Sequence, residues 1–446
     1  KITQFTRNFF ADNGFLEIET PLLITPTPEG ARDFIVPSRH QAGHWYALPQ
    51  SPQIFKQILM VAGCDKYMQI CKCLRDEDPR ADRQAEFTQI DLEMSFVEQD
   101  DVLKIMGEFA ISLYKEVGGI DLGELPQMSW KDAMDNYGSD RPDIRFDLQL
   151  ADVTEIASKT EFKVFTEACN SGGSVKAMRV PGGAEKLTRK KTDGFAEIAK
   201  TYGAGGLPVV KYQGGEFATG VAKFVEPIKN ELVEALGLVD GDLVMFGVGS
   251  YRVACTSLGE VRLAVAKELD LIPEGRFRGL WVIDFPMFDW NEDAERWVSE
   301  HHPFTAPLAS HLDTLESDPG NCLSSGYDLV INGAEVGGGS IRIHNPEVQS
   351  KVFGLLGLSQ EEAENKFGFL LNALRFGAPP HGGVAFGLDR LVMMMIGTTN
   401  IRDVIAFPKT QTGADLMCEA PGAADPAQLE ELGIIMREPV DSTEQA

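Results

Sequence analysis

The sequence has few basic residues for its length. It carries 41 Lys and Arg against 67 Asp and Glu, which gives a formal net charge of −26 over 446 residues. Proteins that coat nucleic acid through bulk electrostatics need an excess of cations, because each phosphate they neutralise takes up a positive side chain. The charge balance excludes that class of protein, and any RNA partner has to be bound by a local basic patch.

Long apolar runs and clustered cysteines are also missing. No hydrophobic run approaches the roughly 18 residues that a membrane-spanning helix needs. The seven Cys are scattered, and the close pair Cys71 and Cys73 has no second pair to complete a zinc site. These absences predict a cytoplasmic protein with reduced cysteines and no membrane segment.

Two common nucleotide-binding loops do not occur in the sequence. It contains no GxxxxGK[ST] loop, and Gly247-Val248-Gly249 lacks the third glycine of a dinucleotide fingerprint. If the chain binds ATP, a site of another kind must hold it.

The length of the chain and the change in its local composition predict more than one domain. A chain of 446 residues exceeds the size at which a single hydrophobic core stops growing. Glycine becomes frequent in the middle of the chain, and short strands and helices alternate there, which indicates an inserted α+β domain. The predicted divisions are the first part of the main domain at 1–142, the inserted domain at 143–281, the second part at 282–409 and a C-terminal extension at 410–446.

The chain opens with an apolar helix and a short strand. Apolar residues recur at helical spacing over 2–13, Gly14 follows as a C-cap signal, and 15–20 is typical of a strand that Pro21 ends. Because the first residue is Lys1 and the helical face is already apolar, we expect the chain to begin inside a longer protein.

An antiparallel strand pair with a charged connecting loop is predicted between residues 67 and 96. Alternation along the second strand places one set of residues on a common face, namely Phe87, Gln89, Asp91, Glu93 and Ser95. Alternation alone favours a solvated face over a ligand-binding floor, and it assigns the opposite face, including Phe96, to the core. On the first strand Arg75 and Glu77 share a face, where the arginine can hold a carboxylate or phosphate through two hydrogen bonds.

Asn332-Gly333 predicts a two-residue hairpin turn. In that register Asp328 and Glu335 become diagonal neighbours on one face, and two acids at that spacing can share a divalent ion. The alternative is a pair of solvated carboxylates. The glycine run at 337–339 is costly in a strand unless something requires close approach of the backbone.

A strand that leads directly into a helix is predicted over residues 381–395. It places Gly387 and Arg390 at the helix start, where backbone N–H groups favour anions and glycine lets a ligand come close. The adjacent pair His301 and His302 does not predict a metal site, because neighbouring strand residues point apart and no third ligand is apparent.

Several segments resemble the class II aminoacyl-tRNA synthetases. The helix and strand that end at Pro21 resemble motif one of that family. The strand pair that carries Arg75-Asp76-Glu77 resembles motif two, and Gly387-Leu388-Asp389-Arg390 resembles motif three, so the three occur in the family's order. Blocks similar to its aspartate-specific members of bacterial type lie at residues 27–33, 50–53, 86–91 and 301–307. The resemblance covers nearly the whole chain, including an insertion similar to a domain of the tRNA-dependent amidotransferase B subunit (GAD type). The family's N-terminal anticodon-binding barrel is not part of it.

The resemblance implies three sets of site residues. The aspartate-binding residues would be Glu29, Gln53, Lys56, Arg75, Asp91, His301 and Arg342. The ATP-binding residues would be Arg75, Asp76, Glu77, Gln84, Phe87, Glu335, Gly387, Leu388, Asp389 and Arg390. The catalytic residues would be Arg75, Glu77 and Arg390, and Mg²⁺ would be held by Asp328 and Glu335.

Individual roles follow from the same resemblance. It implies that Asp91 binds the ammonium of aspartate, while Lys56 and Arg342 bind its side-chain carboxylate. It also implies that the adenine of ATP stacks on Phe87, with Arg390 on its other face as a cation–π partner.

The activity that the resemblance implies is ATP-dependent activation of L-aspartate, followed by transfer to the 3′ end of tRNA(Asp). Whether the protein also charges tRNA(Asn) stays open. The family further implies a homodimer that pairs through residues 2–21.

Two other interpretations compete with this one. The first is an asparaginyl- or lysyl-tRNA synthetase, or a tRNA-independent asparagine synthetase on the same sheet; Lys56 and Arg342 argue against a lysine substrate, since two cations suit a carboxylate. The second is a catalytically inactive paralogue acting as a regulatory or binding subunit, which predicts broken motifs. The motif residues are all present, namely Arg75, Glu77, Glu335 and Arg390.

Overall fold

The computed structural model describes residues 1–26, 31–77 and 83–436. The chain divides into two compact units, the first formed by residues 1–119, 287–326 and 336–446 and the second by 120–286 and 327–335. A mainly antiparallel sheet flanked by helices and a smaller antiparallel sheet confirm the predicted α+β class.

Helices and strands are named in chain order. The helices are α1 (Ile2–Asp12), α2 (Gln53–Val61), α3 (Gln99–Gly118), α4 (Trp130–Tyr137), α5 (Thr154–Ala157), α6 (Lys163–Asn170), α7 (Gly183–Lys186), α8 (Arg189–Thr201), α9 (Ala222–Val225), α10 (Lys229–Leu236), α11 (Tyr251–Glu268), α12 (Pro346–Leu355), α13 (Gln360–Arg375), α14 (Leu388–Ile396) and α15 (Pro426–Glu431). The strands are β1 (Leu16–Glu17), β2 (Ile35–Pro37), β3 (Trp45–Ala47), β4 (Lys66–Leu74), β5 (Glu86–Ser95), β6 (Gln127–Ser129), β7 (Leu150–Asp152), β8 (Ser174–Val180), β9 (Val209–Gln213), β10 (Glu216–Ala218), β11 (Asp242–Gly249), β12 (Gly279–Ile283), β13 (Phe288–Asn291), β14 (Arg296–Ser299), β15 (Gly326–Ile331), β16 (Ala334–Ile341) and β17 (His381–Gly387).

The sheet of the first unit is built around β4 and β5. These strands pair antiparallel, as predicted, and Gln69 lies opposite Asp91. On the other side of β5, strand β17 also pairs antiparallel and sets Gly383 opposite Glu93. Strand β16 continues the sheet beyond β17, and β1 pairs parallel with β4. The central strand β5 therefore has a neighbour on each side.

The opening helix α1 packs its apolar side into the core of the first unit. Its buried residues recur four positions apart, at Ile2, Thr6 and Phe10, which is the spacing of one helical face. The ring of Phe10 lies 4.7 Å from that of Phe109 on α3, and Phe109 lies 5.3 Å from Phe386 on β17. The strand expected over 15–20 is shorter than predicted, since β1 contains two residues.

A second apolar cluster of the first unit joins α2, α12 and α13. Phe304 lies between them, with its ring 5.4 Å from Phe367 and 6.3 Å from Phe353. Ile54 of α2 is buried in the same cluster. This packing fixes α2 and the segment around Phe304, both of which carry predicted site residues.

The second unit contains a five-stranded antiparallel sheet in the order β10-β9-β11-β8-β7. Buried Arg262 of α11 donates to the carbonyl oxygens of Leu148, Asp143 and Phe146 at 2.7, 3.0 and 3.0 Å. Its guanidinium also lies 4.0 Å from the Phe146 ring. A buried arginine is tolerated here because backbone acceptors satisfy its N–H groups.

A search of the described helices for a membrane span finds none that is both long enough and apolar enough.

Candidate active site

The floor of the site is the face of β5 that carries Asp91 and Glu93. Both carboxylates are buried, with 1% and 0% of the residue surface exposed. The interpretation of this face as solvated, which alternation alone favoured, is therefore wrong. The assignment of Phe96 to the core is also wrong, because Phe96 follows the last residue of β5, has a φ of 58° and is 74% exposed.

Two buried cations meet these acids. Lys56, on α2, donates from Nζ to Asp91 Oδ1 at 2.8 Å and lies 3.1 Å from Glu93 Oε2. Arg342 donates from Nε and Nη2 to the two oxygens of Glu93 at 2.9 and 3.1 Å. Glu93 thus contacts both cations that were predicted to bind the side-chain carboxylate of the substrate. Glu93 is not among the predicted site residues, although two buried cations side by side call for a buried acid.

The two carboxyl groups differ in their electrostatic surroundings. Burial raises the pKa of Glu93, but Arg342 and Lys56 outweigh it and bring the pKa down to about 2. Burial also raises the pKa of Asp91, and the opposing effect of Lys56 does not cancel that rise. Asp91 Oδ2 is buried and accepts no hydrogen bond from any residue within 1–26, 31–77 and 83–436. Asp91 therefore keeps one acceptor oxygen for a ligand.

His302 lies against the same cations. Its Nε2 is 2.8 Å from Arg342 Nη1, which also donates to Ser340 Oγ at 2.7 Å. Burial holds the pKa of His302 well below its usual value of 6.5, and the charges of Arg342, His301 and Lys56 act in the same direction. The His302 imidazole is therefore neutral at physiological pH.

A cavity of about 210 Å³ adjoins this cluster in the first unit. Four predicted site residues line it together with five others, the full lining being Ala31, Gln50, Ser51, Gln53, Arg75, Glu77, His301, His302 and Phe304. Arg75 lies over the Phe87 ring at 5.3 Å, and its Nε is buried with no acceptor in the described parts of the chain. The cavity wall thus contains a guanidinium beside an aromatic ring, which suits a nucleotide.

Hydrogen bonds hold the side chains of Gln50, which lines the cavity, and of Gln84. The Gln50 amide donates to the Ala31 carbonyl and to Asp33 Oδ1 at 2.9 and 2.6 Å. Gln84 Oε1 accepts from the Lys409 backbone N–H at 2.8 Å. Gln84 is among the predicted ATP-binding residues, whereas Gln50 had no predicted role.

Motif two continues beyond Arg75 with two exposed acids. Asp76 lies 3.9 Å from Arg32 and Glu77 lies 3.9 Å from Arg83. Such exposed pairs contribute little stability, so both acids can exchange their partner for a ligand. Predicted residue Glu29 and the loop at 78–82 lie outside the described residues.

The start of α14 is tied to β5. Asp389 Oδ2 accepts from the Thr88 backbone N–H at 2.8 Å. Burial raises the pKa of Asp389, and the Thr88 hydrogen bond opposes that rise. Gly387 forms the N-cap, Leu388 is the first helical residue, and Arg390 lies in the first turn. The predicted strand-to-helix unit is confirmed, with β17 leading directly into α14.

The hairpin turn predicted at Asn332-Gly333 is confirmed. Both residues have positive φ, 52° and 78°, as a type I′ turn requires. Asp328 is half-buried on β15 opposite Val282, and Glu335 is exposed on β16. Across the described ranges, no group of three or more His, Cys, Asp and Glu has the arrangement of a metal site.

Comparison with known proteins relates this geometry to a family. A family model described as tRNA synthetases class II (D, K and N) matches residues 1–411. An aspartate–tRNA ligase of Bacillus licheniformis is 52% identical over 433 residues, which cover 97% of this chain and 73% of the relative. An aspartate–tRNA(Asp/Asn) ligase of Bacillus subtilis is 50% identical over 441 residues, which cover 98% of this chain and 74% of the relative. The chain belongs to the class II aspartyl-tRNA synthetases.

Proposed function

We propose that the first unit binds L-aspartate between Asp91 and the cations Lys56 and Arg342, and joins it to ATP as aspartyl adenylate. The observation that carries the proposal is the buried cluster in which these three residues and Glu93 contact one another. The ammonium of aspartate binds the remaining oxygen of Asp91, and its side-chain carboxylate binds the two cations. Gln53 and His301 complete the binding site from the cavity wall.

The residues of motifs two and three bind ATP in this proposal. Arg75 bridges the α-phosphate and the substrate α-carboxylate, and the adenine stacks on Phe87 with Arg390 on its other face. Glu77 and Gln84, which lie in the connection between β4 and β5, contact the nucleotide. The substrate carboxylate then attacks the α-phosphorus in line and pyrophosphate leaves. The protein contributes position and positive charge rather than a covalent nucleophile.

In the second step the 3′-terminal hydroxyl of tRNA attacks the carbonyl carbon of the adenylate, an ester bond forms, the acyl–phosphate bond breaks and AMP leaves. The relative at 52% identity is named an aspartate–tRNA ligase, and the relative at 50% identity is named an aspartate–tRNA(Asp/Asn) ligase, so similarity favours neither specificity. Charging of purified tRNA(Asp) and tRNA(Asn) by this protein distinguishes the two.

Asp328 and Glu335 are the proposed Mg²⁺ ligands. Carboxylate oxygens suit this hard cation, and Mg²⁺ commonly combines one or two protein carboxylates with substrate phosphates and water. Two acids fit that pattern, since no group of three or more metal-binding side chains occurs in the part of the chain that the structure describes. When bound, the ion would neutralise phosphate charge.

We also propose a homodimer that pairs through residues 2–21. Its support is the apolar surface that follows α1, where Leu16, Leu22 and Leu23 are 60%, 54% and 54% exposed. Sedimentation at micromolar concentration is expected to give the dimer mass, and a monomer would contradict the proposal.

The inserted α+β domain at 143–281 is likewise a proposal. Its support is that all five strands of the smaller antiparallel sheet fall between Leu150 and Gly249.

Pyrophosphate exchange tests the proposed site. Exchange between pyrophosphate and ATP is measured with each amino acid in turn, and we expect it with aspartate but not with asparagine or lysine. Equal exchange with lysine would contradict the assignment of Lys56 and Arg342, because two buried cations repel an ammonium.

A further inference from the structure

His381 is a fully buried histidine at the start of β17. Its Nδ1 lies 2.8 Å from the carbonyl oxygen of Pro379, which can only accept a hydrogen bond, so Nδ1 carries a hydrogen. Burial lowers the pKa of His381 below 6.5, although the charge of Glu93 and the Pro379 hydrogen bond oppose that change. The imidazole is therefore neutral at physiological pH, and its Nε2 is an acceptor.

The amide of Gln57, on α2, contacts this acceptor. Gln57 is also fully buried, and its Nε2 lies 3.3 Å from His381 Nε2. Because the ring nitrogen accepts, the amide has to turn its NH₂ group toward the ring and its oxygen away from it. That oxygen accepts from Gln53 Nε2, one helical turn earlier on α2, at 3.1 Å. The tautomer of His381 therefore fixes the orientation of both glutamine amides.

Gln53 is the member of this network that lines the substrate cavity. Its amide nitrogen is engaged by Gln57, so the amide presents its oxygen, Oε1, to a ligand. An amide oxygen can only accept, and among the three polar groups of aspartate the ammonium alone donates, because both carboxylates accept. The opposite orientation would present an NH₂ group, which suits a carboxylate instead.

We propose that Gln57 and His381 are positioning residues, which hold Gln53 Oε1 toward the cavity as an acceptor for the ammonium of aspartate. This inference rests on the proposed binding of aspartate in the first unit. An ammonium has three N–H groups, so it can donate to Gln53 as well as to Asp91. Gln57 and His381 act through Gln53 and not by contact with the substrate.

Pyrophosphate exchange with Gln57→Met tests the positioning role. Methionine has a similar length and removes both hydrogen bonds, so the Gln53 amide becomes free to turn. The aspartate KM is expected to rise about fivefold or more, while the ATP KM and kcat stay within about twofold, since only ground-state binding of the ammonium is weakened. Ile58→Met is the matched control, because Ile58 is the next residue of α2 and packs against an apolar cluster; the aspartate KM should not change.

His381→Asn tests the origin of the orientation. The shorter amide can still donate to the Pro379 carbonyl but does not reach Gln57. The aspartate KM is expected to rise as in Gln57→Met, and the variant that combines both changes should exceed the larger single effect by less than about twofold, because the two residues act in one network.

Gln53→Met separates this inference from the proposed binding site. If Gln57 acts through Gln53, adding Gln57→Met to Gln53→Met raises the aspartate KM by less than about twofold. The inference is overturned if the two effects multiply, if Gln57→Met or His381→Asn leaves the aspartate KM unchanged, or if the ATP KM rises equally. In each of those cases Gln53→Met still weakens aspartate binding. If Gln53→Met itself leaves the aspartate KM unchanged, the proposed binding site is wrong at Gln53 and the inference fails with it.

Discussion

At the scale of single residues, Glu93 is the acid on which both cations of the site depend. Lys56 lies 3.1 Å and Arg342 2.9 Å from its oxygens, and all three side chains are at most 2% exposed. Removing one partner of a buried ion pair leaves an uncompensated charge, which costs about 3–5 kcal/mol. We expect Glu93→Gln to lower the free energy of unfolding by about that amount in urea titrations. Glu86→Gln on the same strand is the control, because Glu86 is 45% exposed beside Lys72, and its loss is expected to stay below about 1 kcal/mol.

The ion pairs that Glu93 forms with Lys56 and Arg342 predict that the stability of the protein depends on pH. The pKa of Glu93 falls from 4.5 to about 2 on folding, so its stabilising contribution is fully present above pH 4.5 and is lost as the pH falls through about 2. The stability difference between the parent and Glu93→Gln should shrink over that range when urea titrations are repeated at successive pH values. A difference that stays constant down to pH 2 would contradict the ion pair.

Lys56 and Arg342 are expected to make the enzyme discriminate between aspartate and asparagine as substrates. The two substrates are nearly the same shape, so charge has to distinguish them, and an amide leaves a buried cation unpaired. That loss is on the order of 2–5 kcal/mol, or roughly 30-fold to several thousand-fold in kcat/KM. Lys56→Met and Arg342→Leu should raise the aspartate KM and reduce the preference in pyrophosphate exchange. A fall of less than about fivefold in both variants would remove the physical support for the assignment.

At the scale of elements, the hairpin between β15 and β16 depends on the conformation of its turn. Gly333 has a φ of 78°, and a Cβ at this position would lie 3.1 Å from Asp143 Cβ. We expect Gly333→Ala to lower the melting temperature, since a left-handed conformation costs a residue with a Cβ about 1–2 kcal/mol. Gly354→Ala is the matched control: Gly354 lies in α12 with open space around its Cβ position, and the change should raise the melting temperature slightly. Equal shifts in the same direction would contradict the turn assignment.

At the scale of the whole molecule, the net charge of −26 limits how RNA can bind. Non-specific affinity for nucleic acid comes mainly from phosphate neutralisation and is typically 10⁻⁴ to 10⁻⁶ M at physiological salt. We expect this acidic chain to bind unrelated single-stranded RNA more weakly than about 100 μM at that salt. Fluorescence titration with a labelled oligonucleotide measures it, and saturation at lower concentration would reveal a basic surface that dominates the net charge.

The sequence by itself determined the α+β class, the antiparallel pair of β4 and β5, the Asn332-Gly333 turn and the unit in which β17 leads into α14. Each of these depends on local patterns: the period of two in a strand, the positive φ that a tight turn needs, and glycine at a helix start. The family assignment followed from short motifs in their chain order.

Only the tertiary structure decided that the polar face of β5 is buried and that Glu93 joins the two cations. Alternation determines which side chains share a face, but a face becomes buried only when other segments cover it. The covering cations come from far along the chain, since Lys56 lies 35 residues from Asp91 and Arg342 lies 249 residues from Glu93. The groups that contact the His302 ring likewise come from its own turn and from a residue 40 positions away. Local periodicity carries no information about such pairings, because they depend on how distant elements pack.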